Sequence, residues 1–372
     1  MKPKIRFKGF EGGWKEERLS EISSSIASGK NIDHKGPYPL YGSTGIIGTT
    51  DKPYHEGPML LVARVGANAG FLQLVNEKCG VSDNTLIVKP KDPVTDNYLF
   101  QYFKFFNLNR FIYGSGQPLI TGGMLKKMPV RYGLKEERET LIDYFTSLDS
   151  QISASTSRLA SLKQMNAASL QAMFPQEGEA VPKIRFKGFE GEWKKVKLGK
   201  LFSERIENNV DGEMLSVTMN NGIIKAAENG RFDNSNSDKS KYKVVKVGDI
   251  AYNSMRMWQG ASGCSQYEGI VSPAYTVVVP NANIHSLFFA YLFKTIPMIN
   301  LFRLHSQGLT KDTWNLKYPA FSIIEVSYPE SKAEQQAIAS YFTSLDRQIS
   351  LQSQRLEKLK QIKSACLDKM FV

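Results

Sequence analysis

Two stretches of the chain carry apolar residues at alternating spacings of four and three, which is the pattern of a coiled-coil seam. The first, residues 136–174, has no proline or glycine before Pro175, and the second occupies residues 332–372. Each predicts one continuous helix, and about 38 residues at 1.5 Å per residue give a length of roughly 57 Å. The seam positions are Leu141, Phe145, Leu148, Ile152, Ser155, Leu159, Leu162, Asn166, Ser169 and Met173 in the first helix, and Ile338, Phe342, Leu345, Ile349, Gln352, Leu356, Leu359, Lys363, Cys366 and Met370 in the second.

Both seams are interrupted by polar residues at equivalent places. Ser155 corresponds to Gln352, and Asn166 corresponds to Lys363. Polar side chains in a seam cost stability but fix the register and the number of partners. We therefore expect the two helices to pair with each other as an antiparallel coiled coil. The alternative is two long surface helices that pack separately, each on its own globule.

The segments that precede each helix have a different pattern. Residues of about 13–133 and 192–331 are rich in glycine, proline, asparagine and aromatic residues, and turn residues bound their short apolar runs. Such runs are typical of strands, so both segments are predicted to be mixed α/β globules. The predicted strands are 59–63, 85–88, 274–279 and 323–326, and the predicted short helices are 98–106 and 286–294.

Two sequence blocks occur twice. PKIRFKGFEG stands at residues 3–12 and, unchanged, at residues 182–191. YFTSLDSQIS at residues 144–153 returns as YFTSLDRQIS at residues 341–350. The first block shifts by 179 residues and the second by 197, so the second half is 18 residues longer between its blocks. A repeated frame with divergent contents indicates a pseudo-twofold scaffold that carries two different recognition domains.

The composition indicates a globular protein with a polyanionic partner. Hydrophobic residues make up 41% of the chain and charged residues 23%, while the net charge of +12 favours nucleic acid or an anionic surface as the partner. Three scattered cysteines support neither a zinc site nor a disulfide framework, and they fit a reducing cytoplasm. The longest apolar run, 287–293, is too short to span a bilayer, and the N-terminal residues have no signal-peptide pattern.

Several motif-like segments follow one another in a fixed order. In the first half they are YPLYGSTGIIG (38–48), LVARVGANAG (61–70) and GQPLIT (116–121). In the second half they are GDIAYNSMRMWQG (248–260) and SQGLT (306–310), and the two long helices open with KEER (135–138) and KAEQQ (332–336). In this order the segments resemble those of the specificity subunit of type I restriction–modification enzymes, whose conserved regions start in a similar way to these helix openings. The resemblance covers essentially the whole chain.

This resemblance implies that each globule recognises one half of a bipartite double-stranded DNA target. The paired helices would set the spacing and dock two methyltransferase subunits, and motor–endonuclease subunits would join that core. The chain itself would be non-catalytic, and S-adenosylmethionine, ATP and Mg²⁺ would act in the partner subunits. We expect a bacterial or archaeal cytoplasmic protein without a membrane partner. The expected division is target recognition domain 1 (1–134), conserved helix 1 (135–174), a linker (175–181), target recognition domain 2 (182–331) and conserved helix 2 (332–372).

The sequence carries none of the catalytic motifs that such a complex needs. We find no NPPY-like methyltransferase motif, no glycine-rich loop for a methionine cofactor, and no GxxxxGK[ST] phosphate loop. The glycines of GSTGIIG (42–48) do not fit the dinucleotide fingerprint, and a recognition loop and a structural hairpin are equally compatible with this segment. The histidines share no metal or triad spacing, which favours structural or surface roles for His34, His55, His285 and His305.

Candidate DNA contacts follow from the chemistry of base edges. Arginine and lysine recognise guanine, and asparagine and glutamine recognise adenine, whereas phosphate contacts only position the protein. Arg64 and Arg256 rank highest because each follows a strand among small residues, while Trp258 fits a core position equally well. The candidates are Lys30, Asn31, Ser43, Thr44, Arg64, Asn68 and Gln117, with Lys126 and Lys127 for phosphates, in the first half, and Asn220, Asn221, Lys239, Lys241, Asn253, Arg256, Trp258, Gln259, Gln307 and Lys311 in the second.

Two other functional classes remain as alternatives. One is a coiled-coil adaptor that binds no DNA, and the other is a self-sufficient nuclease, against which the missing motifs argue. If the DNA hypothesis holds, two recognition domains on one DNA face should be centred about one helical turn, roughly 34 Å, apart. We therefore expect a split target with a short non-specific spacer.

Overall fold

The computed structural model describes residues 2–30, 35–111, 118–219, 221–229, 238–311 and 313–372. Contacts divide the chain into two compact units. Unit 1 comprises Met1–Ser157 and Ser353–Val372, and unit 2 comprises Arg158–Gln352. Each unit therefore combines one variable segment with parts of both long helices.

Within the residues that the structure describes, unit 1 contains ten strands, three shorter helices and the first part of a long helix. The strands are β1 (Lys15–Arg18), β2 (Ser23–Ser28), β3 (Tyr38–Gly42), β4 (Gly45–Thr50), β5 (His55–Glu56), β6 (Met59–Ala63), β7 (Leu72–Val75), β8 (Lys78–Val81), β9 (Thr85–Pro90) and β10 (Pro129–Tyr132). The helices are α1 (Leu19–Ile22), α2 (Pro93–Phe106), α3 (Gly122–Lys127) and the long α4 (Lys135–Ala172), with 3₁₀ turns at Gly66–Asn68 and Leu108–Phe111.

Unit 2 repeats this plan within the described residues. Its strands are β11 (Lys194–Lys197), β12 (Phe202–Glu204), β13 (Leu215–Thr218), β14 (Gly222–Lys225), β15 (Lys243–Val245), β16 (Ile250–Asn253), β17 (Ser262–Cys264), β18 (Gly269–Val271), β19 (Tyr275–Pro280) and β20 (Glu325–Tyr328). Its helices are α5 (Ser286–Leu292), α6 (Ile296–His305), α7 (Tyr318–Ser322) and the long α8 (Lys332–Met370), with 3₁₀ turns at Leu198–Lys200, Ala226–Asn229 and Met257–Gln259.

The main sheets of the two units have the same strand order. Unit 1 has an antiparallel sheet β2-β9-β6-β7, and unit 2 has β12-β19-β16-β17. In each unit the first strand pairs with the last one before the long helix, β1 with β10 and β11 with β20. A second sheet in unit 1, β4-β3-β8-β5, corresponds to the pairs β13-β14 and β15-β18 in unit 2. Sequences that differ between the blocks thus form the same topology.

One inner strand of each main sheet, β6 in unit 1 and β16 in unit 2, lies in the core and presents buried side chains on both faces. All five residues of β6 are buried, and Ile250, Ala251 and Tyr252 of β16 are completely buried. Full burial of one large apolar side chain contributes about 1.5–3 kcal/mol. The loop that follows each of these buried strands therefore begins at a residue whose position is fixed by core packing.

The two long helices pair in antiparallel orientation within each unit. In unit 1 the Tyr144 hydroxyl lies 3.3 Å from Cys366 Sγ, and Lys363 donates a hydrogen bond to Asp149. Residue numbers thus rise along α4 as they fall along α8, and every seam position is buried or half-buried. The expected pairing of the helices is confirmed.

Unit 2 repeats these contacts with the equivalent residues of the other helix. Tyr341 Oη lies 2.8 Å from Ser169 Oγ, and Asn166 Nδ2 donates to Asp346 Oδ1 at 2.9 Å. Two of the polar seam interruptions, Asn166 and Lys363, therefore bind the aspartates of the duplicated YFTSLD segments. Shifting the helices by one turn would break these pairs, so they fix the register.

The predicted mixed fold is confirmed, and most element boundaries shift by a few residues. The strand 59–63 is found as predicted, but α2 starts at Pro93 because Asp92 caps it through Val94 N at 3.0 Å. The helix predicted at 286–294 ends at Leu292. The strand predicted at 323–326 is wrong in its first half, because α7 ends there and the strand begins at Glu325.

Candidate nucleic-acid interface

The connection between β6 and β7 in unit 1 carries two of the predicted DNA contacts, Arg64 and Asn68. Its backbone is held on both sides: Arg64 N–H donates to Asn84 O at 3.0 Å, and Arg64 O accepts from Ile120 N–H at 2.7 Å. Gly70 N–H, which returns to Ala63 O at 2.8 Å, closes the turn. The connection is therefore a fixed loop at the end of a buried strand.

The connection between β16 and β17 in unit 2 has the same backbone frame. Ser254 N–H donates to Ala274 O at 3.1 Å, and Ser254 O accepts from Leu316 N–H at 2.8 Å. Ser254 is thus the structural equivalent of Arg64. Arg256 stands two residues further along, so the two arginines that ranked highest do not occupy equivalent positions.

Arg64 and Arg256 also differ in exposure. Arg64 is half-buried, and its Nη1 donates to the carbonyl of Asp83 at 3.3 Å. Arg256 is exposed at the start of the 3₁₀ turn, and Gly260 ends that turn with a left-handed φ of 81°. The guanidinium of Arg256 is therefore more accessible to a DNA groove than that of Arg64.

Trp258 is half-buried and supports the same turn. Its Nε1 donates to Met255 O at 3.0 Å, and its ring lies edge-on to Trp314 with 5.3 Å between centroids. The segment of Trp314 also pairs with Gln307, whose N–H donates to Asn315 O at 3.0 Å. Gln259, Gln307 and Lys311 are exposed, and Asn253 Oδ1 accepts from Met255 N–H at 3.0 Å.

The segment GSTGIIG forms a hairpin whose tip carries Ser43 and Thr44, as the structural alternative predicted, and DNA recognition by this tip stays a prediction. Gly42 pairs with Gly45 across this two-residue turn. Gln73 Nε2 donates to Gly42 O at 2.8 Å, and Gln73 lies on β7. The hairpin tip is thus tied to the strand that follows the Arg64 connection.

In unit 2 the equivalent hairpin turn carries Asn221, whose N–H donates to Thr218 Oγ1 at 3.0 Å. Lys294 Nζ donates to Met219 O in this turn at 2.9 Å and to Gly260 O at 2.5 Å. The turn and the Arg256 connection are therefore joined by one side chain.

Lys294 and Gln73 are not among the residues predicted from the sequence. The only sequence signal for Lys294 is a single charge at the end of an apolar stretch, 287–293. Gln73 has no signal at all, because an isolated amide in a short strand is ordinary.

The remaining candidates lie on other elements. Lys30 follows β2, and Lys126 and Lys127 form the last turn of α3, all of them exposed. Lys239 is half-buried and Lys241 exposed, just before β15. Three candidates, Asn31, Gln117 and Asn220, lie outside the described residues.

Burial lowers the pKa of three basic side chains in these units, Lys294, His55 and His285. Burial lowers the pKa of Lys294 to about 8, although the charge of Asp346 partly opposes this. Burial also lowers the pKa of His55 and of His285, with a further contribution from a nearby lysine in each case. Both imidazoles therefore favour the neutral form. A third histidine, His305, has its Nδ1 2.9 Å from the carbonyl oxygen of Leu301. His34 is not among the described residues.

Neither a metal-binding group of side chains nor a single membrane-spanning helix is found among the described residues. In these ranges no three or more His, Cys, Asp or Glu side chains are grouped so that they could hold a metal ion. No single described helix is long and apolar enough to cross a membrane; the pair Ser286–Leu292 and Ile296–His305 meets the length and composition criteria only jointly, with an 82° bend.

Comparison with known proteins gives concordant matches. A family model described as "Type I restriction modification DNA specificity domain" matches residues 11–164 and 190–361. The specificity subunit of the type I restriction enzyme EcoprrI from Escherichia coli is 25% identical over 159 residues, which are 40% of this chain and 40% of that protein. The S subunit of a type I restriction–modification system from M. genitalium has the same fold, with a TM-score of 0.68 and 15% identity over 100% of this chain and 99% of that chain.

These similarities do not favour the alternative of an adaptor that binds no DNA. The family model covers both halves of the internal repeat and most of the chain. The chain therefore belongs to the type I restriction–modification DNA specificity family.

Proposed function

We propose that this chain is the sequence-specific DNA-binding subunit of a type I restriction–modification complex and is itself non-catalytic. The observation that carries the proposal is the repeated backbone frame that follows the inner strands β6 in unit 1 and β16 in unit 2. In unit 1 this frame presents Arg64 and Asn68, and in unit 2 it presents Arg256 and Gln259. One scaffold that carries different polar side chains on corresponding connections is what recognition of two different half-sites requires.

The proposed division assigns target recognition domain 1 to residues 1–134 and target recognition domain 2 to residues 182–331. Conserved helices 135–174 and 332–372, with the linker 175–181, would then set the distance between the half-sites. Hydrogen bonds that fix the helix register support this role, because a spacer of constant length needs helices that do not slide.

Side chains on the loops are assigned to base recognition. Lysines on other elements are assigned to phosphate contacts, which position the protein on DNA. Arg256 has the chemistry for a paired hydrogen bond to guanine, and Asn68 or Asn221 for one to adenine. Exposed lysines on other elements would contact phosphates, which position the protein on DNA. The proposed contacts are Lys30, Asn31, Ser43, Thr44, Arg64, Asn68, Gln117, Lys126 and Lys127 in the first half, and Asn220, Asn221, Lys239, Lys241, Asn253, Arg256, Trp258, Gln259, Gln307 and Lys311 in the second.

The long helices present two equal exposed surfaces, which supports docking of two identical methyltransferase subunits. Arg158 and Met165 of α4 are exposed, and Arg355 and Ile362 of α8 occupy the equivalent positions. Arginine and apolar side chains one heptad apart share a helix face, and both types are frequent in protein interfaces.

The rest of the complex is proposed from family membership. Motor–endonuclease subunits would join the core, and S-adenosylmethionine, ATP and Mg²⁺ would act in the partner subunits rather than in this chain. The expected location is the cytoplasm of a bacterium or archaeon.

A domain exchange tests the proposal. Residues 13–133 are replaced by the equivalent segment of a family member with a different target, and the chain is expressed with its methyltransferase. Single-molecule mapping of methylated adenines should find one half of the motif changed and the other half retained. The matched exchange of residues 192–331 should change only the other half. If either exchange altered both halves or neither, the two-domain proposal would be wrong.

A further inference from the structure

Lys294 lies beneath two candidate recognition loops of unit 2. It follows α5, it is half-buried, and its Nζ contacts Met219 O at 2.9 Å and Gly260 O at 2.5 Å. Met219 belongs to the turn between β13 and β14, and Gly260 ends the turn that starts at Arg256. These turns belong to different sheets, so the ammonium group joins two parts of the unit that no shared strand connects.

The chemistry of this contact suits an ammonium group. Carbonyl groups at the ends of turns need hydrogen-bond donors, and a lysine ammonium carries three. The stem of Lys294 packs at Gly260, where an added Cβ would lie 3.8 Å from Lys294 Cδ and 3.5 Å from Ile299 Cδ1. One side chain of limited freedom therefore bridges the two loops, whose flanking strands also approach each other where Gly263 faces Gly222.

Keeping a charge here costs stability. Removing an ammonium group from water is unfavourable, and an apolar residue of similar length would avoid that penalty. The charge that faces it from α8 is Asp346, which is itself held by Tyr291 Oη at 2.8 Å and by Asn166 Nδ2 at 2.9 Å. A half-buried lysine that costs stability yet contacts both loops fits a role in loop geometry better than a role in folding.

Unit 1 fastens its equivalent hairpin differently. There the neutral amide of Gln73 donates to Gly42 O at 2.8 Å. The two units therefore hold corresponding hairpins with an amide in one case and an ammonium group in the other.

We propose that Lys294 is a positioning residue for sequence recognition by unit 2, which holds the Asn221 turn and the Arg256 turn so that both contact one half-site. The proposal rests on the proposed DNA-binding function. Lys294 itself contacts no base, and it acts through the placement of Arg256 and Asn221.

The test compares binding of the full chain, assembled with its methyltransferase, to its mapped target and to duplexes with one base changed in either half. Lys294→Met should lower discrimination in the half-site of unit 2 by about tenfold, since one base contact is worth about 1–3 kcal/mol. Discrimination in the other half-site should stay within about twofold, because distant sites act independently. Lys200→Met, which removes an exposed charge from the same unit, is the matched control and should change neither ratio.

A pH series gives a second measurement that does not depend on folding of the variant. The pKa of Lys294 is lowered to about 8, so between pH 7 and 9 its two bonds to carbonyl groups change from charge-assisted to weaker neutral hydrogen bonds. Wild-type discrimination in the unit 2 half-site should therefore fall over this range. Tyr291 stays neutral in this range because burial raises its pKa. Loss of a buried charge whose pKa is below its ordinary value does not reduce stability, so unfolding would not explain the fall.

The outcomes separate the two proposals. If the wild-type complex does not discriminate at all, the proposed function and this inference both fail. If the wild type discriminates and the Lys294→Met variant keeps full discrimination, only the role of Lys294 is wrong. The same holds if discrimination by the Lys294→Met variant changes with pH as it does in the wild type. An equal loss in both half-sites would also overturn it, because a general defect is not positioning.

Discussion

Arg6 binds Glu137 through two parallel hydrogen bonds, with 2.6 Å from Nε to Oε1 and 2.7 Å from Nη2 to Oε2. Arg185 binds Glu334 in the same way, at 2.7 and 2.8 Å. The repeated decapeptide thus fastens itself to the first turn of each long helix. The two copies of the decapeptide therefore have the same structural role, because the arginine of each copy binds the equivalent glutamate of its helix.

Loss of the Glu137 carboxylate should destabilise unit 1. The side chain of Glu137 is 2% exposed, so Glu137→Ala leaves the Arg6 charge unpaired, at a cost of about 3 kcal/mol. Urea unfolding followed by hydrogen exchange in unit 1 measures this change. Glu139→Ala is the matched control, because its ion pair with Lys135 is exposed and 3.9 Å long and contributes about 0.5 kcal/mol. Equal losses in the two variants would contradict the structural role of the Arg6 pair.

The helices and the repeat could be predicted because their signals are long and periodic. A seam that recurs over about 38 residues specifies both helix type and buried face. Contacts that span the sequence have no such signal. Lys294 reaches Met219, 75 residues away, and nothing in an apolar stretch indicates that partner. Arg64 and Arg256 are not equivalent because Ile120 N–H binds the carbonyl of Arg64, whereas the corresponding bond in unit 2 goes to Ser254. Backbone hydrogen bonds between such distant segments are visible only in the folded chain.

Acid should weaken the helix pairing in unit 1 through Asp149. Burial raises the pKa of Asp149, but hydrogen bonds from Lys363 and Gln101 and the charge of Lys104 lower it more, so the pKa ends below its ordinary value. A carboxyl group with a depressed pKa contributes stability above its unfolded value of about 3.9, and this contribution is lost as pH falls through the folded pKa.

The Lys363→Met variant isolates this contribution. It removes one partner of Asp149, so the wild type should lose more unfolding free energy than the variant between about pH 5 and pH 3. Urea titrations of unit 1 at both pH values provide the measurement. Lys358→Met, at an exposed position on the same helix, should keep the wild-type pH dependence. A variant as acid-sensitive as the wild type would rule out this pair as the cause.

Arg256 and Lys127 should have different effects on DNA binding. Arg256→Ala should cost about 1–3 kcal/mol at one base pair and leave the other positions unchanged, because a base contact is specific to its position. Lys127→Ala should weaken binding to all sequences alike and reduce the slope of log affinity against log salt by about 0.9. Binding isotherms at several salt concentrations, on the target and on single-base variants, distinguish the two effects. A change in sequence preference for Lys127→Ala would reverse the assignment.

Charge reversal on the long helices should change the number of bound methyltransferase subunits one at a time. Arg158 and Arg355 are exposed at equivalent positions of α4 and α8, so each is expected to contribute to one of two equal docking surfaces. Arg355→Glu and Arg158→Glu should each leave a complex with one methyltransferase, and the double variant should bind none, because like charges across an interface oppose association. Native mass spectrometry of the reconstituted complexes counts the subunits. Arg347→Glu is the matched control, since Arg347 is exposed on α8 but corresponds to Ser150 in α4, and it should still bind two. Two bound subunits in all variants would mean that docking uses another surface of the repeat.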